Sequence, residues 1–252
     1  SNFIRDLAKE IDYKITNGPG FCVVKDLKNF CDGDMLKLYK LICEALGYLV
    51  PQDSINTLFY PVYSTGTKMV EGERYSRSSD SGSFHTDNPS ELNVPDIVSL
   101  MSIREAHSGG LSCIVNMTLV LEDLFIERPE IAYLLESEFP FIRKNQIKEN
   151  KQLISFLPIL EFSEGYSFRY LADYISRENL IKAKENNVLK LDLLRLLDEK
   201  LKKKQYRTEF LLKRGEMIFF NNKNLAHGRT SFIDEENKNK KRLMYRTWLM
   251  KK

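Results

Sequence analysis

Apolar residues recur at helical spacing near the start of the chain. Phe3, Ile4, Leu7, Ala8 and Ile11 share one face and predict an amphipathic helix. The turn cluster Asn17-Gly18-Pro19-Gly20 closes it, and Phe21-Cys22-Val23-Val24 then reads as a short strand. A second helix is expected from Met35 to Leu46, capped by Asp34 and stopped by Gly47. From Tyr63 to Phe84 all periodicity disappears. That stretch holds Gly66, Gly72, Gly82 and the serine-rich run from Ser76 to Ser81. A loop of this length inside a compact domain usually serves function, so residues from about 64 to 84 are expected to form a lid.

Strand patterns dominate the remainder. Ile97 to Ile103, Ser112 to Val115, Arg207 to Leu212, Met217 to Asn221 and Leu243 to Met250 are candidate strands. Leu153 to Phe162 and Tyr166 to Tyr170 predict a hairpin turning at residues 163–165. Helices are expected at Thr118 to Ile126, Glu130 to Glu136 and Leu189 to Lys203. The last of these ends in Lys200, Lys202, Lys203 and Lys204, read as a solvated basic helix end. The pattern describes one α+β domain over residues 1–252 with a mainly β core, a sandwich or barrel flanked by helices. It carries a helical insertion at about 176–204. Neither a βαβ repeat nor a Gly-rich phosphate loop is present.

Composition adds exclusions. The chain has 252 residues, 42% hydrophobic and 29% charged, which suits a globular domain and not a disordered one. A net charge of +3 gives no argument for nucleic acid or an anionic membrane as partner. Cys22, Cys31, Cys43 and Cys113 form no C-x-x-C pair, which suits a reducing cytoplasm better than a zinc ribbon or a disulfide scaffold. No apolar signal core and no membrane span is expected.

The chain has three histidines, and their placement carries the candidate chemistry. His85 and Asp87 lie two apart, so an extended backbone points both side chains to one face. Joined by a distant histidine, they would form the two-histidine, one-carboxylate triad that leaves open positions on non-haem Fe(II). His227 and His107 are the two that remain. His107, in a turn-like segment, reads as a surface or structural residue. On a predicted strand, Arg242, Met244 and Arg246 share a face. Inward-facing arginines are costly unless they meet anions, and a dicarboxylate cosubstrate would fit their guanidinium forks. Taken alone, His-x-Asp is also the pattern of a surface histidine bonded to a carboxylate, and the arginines also fit a solvated edge strand.

Four segments in order resemble the taurine dioxygenase (TauD/TfdA) family of Fe(II)/2-oxoglutarate-dependent oxygenases. They are Phe84-His85-Thr86-Asp87, Gly109-Gly110-Leu111-Ser112, the run from Leu212 through Asn222 to His227-Gly228-Arg229, and the strand bearing Arg242 and Arg246. The resemblance implies a double-stranded β-helix (jelly roll) flanked by helices. It implies iron held by His85, Asp87 and His227, and 2-oxoglutarate held by Arg242 and by Ser112, where many relatives have Thr. Arg246 matches a position that meets an anionic part of substrate or supports the cosubstrate. Arg229 matches a residue with a structural ionic role. The implied reaction consumes O2 and 2-oxoglutarate, releases succinate and CO2, and hydroxylates a substrate C–H; Asp87 disfavours halogenation.

Arg74, Tyr75 and Arg77 on the lid, with Arg246, suggest a small anionic substrate such as a free amino acid or a specialised-metabolism intermediate. Asn88 and Trp248 are placed to line its pocket. Alternatives on the same iron site are desaturation, ring closure, C–N cleavage or isonitrile formation. A non-catalytic jelly-roll binding protein would be expected to have lost one of these residues.

Overall fold

A computed structural model describes residues 2–65, 78–148, 151–162, 165–183 and 186–252, the side chains of 144–152 and 238 excepted. In chain order the helices are α1 (Asn2–Asn17), α2 (Asp32–Leu46), α3 (Met117–Glu127), α4 (Pro129–Ala132), α5 (Arg177–Lys182) and α6 (Asn187–Leu201). The strands are β1 (Phe21–Val24), β2 (Gly47–Val50), β3 (Tyr60–Val62), β4 (Ile97–Arg104), β5 (Ser108–Gly109), β6 (Ser112–Asn116), β7 (Glu138–Lys148) and β8 (Lys151–Pro158). They continue with β9 (Leu160–Phe162), β10 (Tyr166–Phe168), β11 (Arg207–Phe210), β12 (Met217–Asn221), β13 (Leu225–Arg229), β14 (Phe232–Ile233) and β15 (Leu243–Lys251).

A six-stranded antiparallel sheet runs β1-β12-β4-β15-β2, with β3 also on β15. A three-stranded sheet runs β11-β6-β13. Alternation along the central strands explains their continuous apolar sequence, because both faces are covered. Met217 and Phe219 of β12, with Ile97 and Met101 of β4, turn outward onto α1 and α2. Ile218 and Phe220, with Val98, Met244 and Trp248, turn inward onto Ile114 and Leu225 of the small sheet. Each such buried side chain contributes about 1.5–3 kcal/mol. This is a jelly-roll core flanked by helices, as the family resemblance implies. A third cluster joins α3, α5 and α6 to the β7–β8 side of the molecule.

Several expectations are corrected. Helix α1 does end at the expected turn cluster, at Asn17, with Ile15 continuing its buried face beyond Ile11. Asp34 does not cap α2: Cys31 occupies the cap, and Asp34 sits in the first turn, where its charge suits the helix dipole. Leu153 to Phe162 is not one strand. It breaks after Pro158: β8 pairs with the unpredicted β7, and only β9 joins β10 in the expected hairpin. Lys200 is not solvated; it is fully buried, with Nζ 2.7 Å from Glu127 Oε2. The lid residues Arg74, Tyr75 and Arg77 lie outside the described residues. Among the described residues no helix is long and apolar enough to cross a membrane.

Candidate metal centre

The segment holding His85 is extended and bonded on both sides. His85 N–H donates to His227 O (3.0 Å), and His227 N–H donates to His85 O (2.8 Å), an isolated antiparallel bridge. Residues paired this way present their side chains on one face, and the two imidazole rings stand 4.3 Å apart between centroids. Thr86 turns the other way. It exchanges backbone and hydroxyl hydrogen bonds with Tyr170 at 2.8 and 2.9 Å. Asp87 then returns to the histidine face, as the two-residue spacing predicts. Its Oδ1 lies 3.7 Å from His85 Nε2 and 3.9 Å from His227 Nε2.

Asp87 is held by residues that the sequence pattern did not single out for this purpose. Its N–H donates to Asn222 Oδ1 (2.8 Å), and Asn222 Nδ2 donates to Asp87 O and Pro95 O, both at 3.1 Å. Trp248 Nε1 donates to Asp87 Oδ2 at 2.7 Å, so the indole orients the carboxylate as well as lining the cavity. Arg246 Nη1 lies 3.2 Å from Asp87 Oδ1, and its Nε donates to Gln52 Oε1 (2.8 Å). Gln52 in turn donates to Leu58 O and Arg246 O. Arg246, read from sequence as a substrate or cosubstrate contact, stands in the structure as a support of Asp87. Such outer partners fix ligand orientation in metal sites.

The electrostatics favour metal-ready ligands. Burial lowers the His85 pKa against the pull of Asp87. Burial, then the neighbouring His85, takes His227 down to about 3. Burial alone would raise Asp87, but Arg246, both histidines and Trp248 hold its carboxyl below the ordinary value. His85 Nδ1 lies 3.0 Å from Ser83 O, which places its proton there and leaves the Nε2 lone pair toward Asp87. Two neutral imidazoles and one carboxylate, their ligand atoms within 4.8 Å of one another, suit a first-row divalent ion with open positions.

A stability consequence follows. In the unfolded chain both histidines titrate near 6.5. Below that pH the unfolded state takes up protons that the fold refuses, so metal-free protein loses stability, by up to about 1.4 kcal/mol per pH unit for each histidine. Asp87 adds its loss only at pH below its unfolded value of 3.8. Urea midpoints are expected to fall between about pH 6.5 and 5, and less steeply in His227→Gln. A flat profile in wild-type protein would contradict neutral burial.

The cavity is also lined by Ser112, Arg242, Arg246, Asn88, Arg229 and Trp248. Ser112 and Arg242 are both buried. Arg242 N–H is fixed by Asp234 Oδ1 (2.6 Å), its Nη2 lies 2.9 Å from Met244 Sδ, and its guanidinium lies 5.2 Å from the Phe232 ring centre. The turn before Ser112 needs its glycines. Gly109 and Gly110 have φ of 73° and 71°, and a β-carbon at Gly110 would stand 3.6 Å from Arg242 Nε. Asn88 also takes a left-handed φ of 59°, which Asn tolerates. Arg229 bonds carbonyls: those of Ser78, Ser79, Asp80 and Thr230. His107 is exposed beside Glu235 (3.2 Å), away from this cavity, as the sequence suggested.

A jelly roll with such a cluster belongs to the class of mononuclear facial-triad proteins. The particular family is shown by direct match: the chain belongs to the taurine catabolism dioxygenase TauD, TfdA family, over residues 5–248. It is similar to a uridine-5'-phosphate dioxygenase of Streptomyces sp, 28% identical over 178 residues. That match covers 70% of this chain and 60% of the relative, so the chain spans less than two thirds of that protein's length. Its fold is similar to an asparagine oxygenase solved with Fe(II), 2S,3S-3-hydroxyasparagine and succinate. The TM-score is 0.76 and the identity 16%, over 99% of this chain and 80% of that one. It is also similar to the non-heme iron oxygenase OrfP with Fe and alpha-ketoglutaric acid (TM-score 0.69, 13% identity, 99% and 80% covered).

Proposed function

We propose that the chain, as a single domain over residues 1–252, is an Fe(II)- and 2-oxoglutarate-dependent dioxygenase that hydroxylates a C–H of a small anionic substrate. The observation that carries this reading is that His85, Asp87 and His227 line one cavity with Ser112 and Arg242. His85, Asp87 and His227 would hold the iron. When bound, iron with 2-oxoglutarate and O2 supplies the oxidising power, one oxygen atom entering the substrate as hydroxyl and the other entering succinate as CO2 leaves.

The protein's own contribution is positional. Arg242 would receive the distal carboxylate of 2-oxoglutarate in its fork, and the Ser112 hydroxyl would donate to the same group. Trp248, Arg246 and Asn222 keep Asp87 facing the two histidines. The cavity walls hold the target C–H near the metal and keep bulk water out. Asn88, Trp248 and Arg246 face the substrate side, and Arg74 and Arg77 extend that proposal to the lid. The names of the similar structures favour a free amino acid, and that of the Streptomyces relative favours another small anion. A cytoplasmic setting belongs to the same proposal, supported by four free cysteines.

The first test is anaerobic addition of Fe(II) and 2-oxoglutarate. A weak visible charge-transfer band should appear. The emission of Trp248, the chain's one tryptophan, should change in the same titration, since its indole bonds Asp87. Folded protein that shows neither signal would sink the oxygenase reading. A succinate-release screen across free amino acids and related acids then identifies the substrate.

A further inference from the structure

The bridge between His85 and His227 places their neighbours Phe84 and Gly228 opposite each other. In an antiparallel pair, the positions flanking a hydrogen-bonded bridge are the close, non-hydrogen-bonded ones. The Cδ1–Cε1 edge of the Phe84 ring occupies that space. A β-carbon at Gly228 would stand 2.9 Å from Phe84 Cδ1 and 3.0 Å from Cε1. The ring has neighbours on its far side. It is half-buried against the helical-side core, and the Arg207 guanidinium lies 5.7 Å from its centre. Gly228 is also bounded behind by β6, where it pairs with Cys113.

The outer edge of the same segment is fixed as well. Arg229 donates to the carbonyls of Ser78, Ser79 and Asp80 at 2.9 to 3.3 Å, and Phe232 N–H donates to Ser79 O at 3.1 Å. Between this anchor and the metal motif lies Ser83, whose carbonyl orients the His85 ring. Residues 78–85 are thus held at one end by Arg229 and at the other by the ring seated on Gly228.

We propose that the Phe84–Gly228 contact is the spacer that sets the separation of the His85 and His227 rings, and so their fitness to share one metal ion. Gly228 and Phe84 are positioning residues; neither offers a ligand atom. A larger residue at 228 would push Phe84 and the strand behind it outward, lengthening the bridge. The inference rests on the reading of His85, Asp87 and His227 as metal ligands.

The test uses the full chain and anaerobic Fe(II) alone, read by Trp248 emission, with amide hydrogen exchange of metal-free protein as a second readout. Gly228→Ala is expected to weaken Fe(II) binding about tenfold or more. It should also speed exchange at the His85 and His227 N–H groups. Phe84→Leu alone should weaken binding less, and Gly228→Ala/Phe84→Leu should return to the level of Phe84→Leu, a non-additive pair. Unchanged affinity and exchange in Gly228→Ala, or a double variant as weak as the two losses multiplied, would overturn the spacer. Where Gly228→Ala fails to fold, the folded Phe84→Leu protein decides, and its unchanged affinity and exchange overturn the proposal. Wild-type protein that binds no Fe(II) would defeat the metal reading instead, while faster exchange in Gly228→Ala would still uphold the spacing.

Discussion

Asp87→Ala is expected to abolish succinate formation, with a loss on the order of 10³-fold or more, equal to about 4 kcal/mol of barrier. Asp87 is the one carboxylate of the cluster and its one fixed negative charge. Its removal leaves two neutral imidazoles to hold a divalent ion and leaves Arg246 and Trp248 without their shared acceptor. Arg246, only partly exposed, would then leave an uncompensated positive charge beside the two histidines, so electrostatics compound the loss of a ligand. The Trp248 emission should no longer respond to Fe(II). Asp87→Asn separates shape from charge, since the side-chain oxygen can still accept from the indole. If Asp87→Asn retains wild-type affinity and succinate formation, the carboxylate is not a ligand.

How much of this was readable follows from the range of each interaction. Met217 to Asn221 was legible to the residue, because a strand covered on both faces leaves a continuous apolar run. His85 and Asp87 were legible because extended backbone has a period of two and needs no distant information. His227 was not legible in that way. Its strand, Leu-Ala-His-Gly-Arg, carries a glycine directly after the histidine, beside the Phe84 ring, and so lacks a strand pattern. Only elimination and the family resemblance pointed to it.

Asn222, Gln52 and the hydrogen bond of Trp248 belong to tertiary closure. Asn222 meets Asp87 across 135 positions, Trp248 meets it across 161, and Gln52 meets Arg246 across 194. No local periodicity encodes such pairs. Lys200 was misread for the same reason: a basic helix end looks solvated until Glu127 of another helix covers it.

Arg242→Ala is expected to raise the apparent KM for 2-oxoglutarate about 30-fold to 10³-fold, the cost of losing about 2–4 kcal/mol of charge-assisted bonding. Arg242 is suited to that role by its setting. It is buried, its main chain is pinned by Asp234, and its guanidinium is packed on Phe232 and against the Gly109-Gly110 turn. A side chain held this way loses little further freedom when a carboxylate arrives. Arg242→Lys keeps the charge but not the fork, so its KM should fall between those of wild type and Ala. Arg246 provides the contrast. It bonds Asp87 and Gln52, so Arg246→Lys should act first on Fe(II) affinity, read by Trp248 emission, and only secondarily on KM. Strand β15 begins at Leu243, with a register shift before Met244, so Arg242 lies just ahead of the strand and not on it as the sequence pattern predicts. Both arginines still line the one cavity, and they are separable by measurement: one moves the cosubstrate constant at fixed metal affinity, the other moves metal affinity. An unchanged KM in Arg242→Ala would reassign the cosubstrate carboxylate to Arg246.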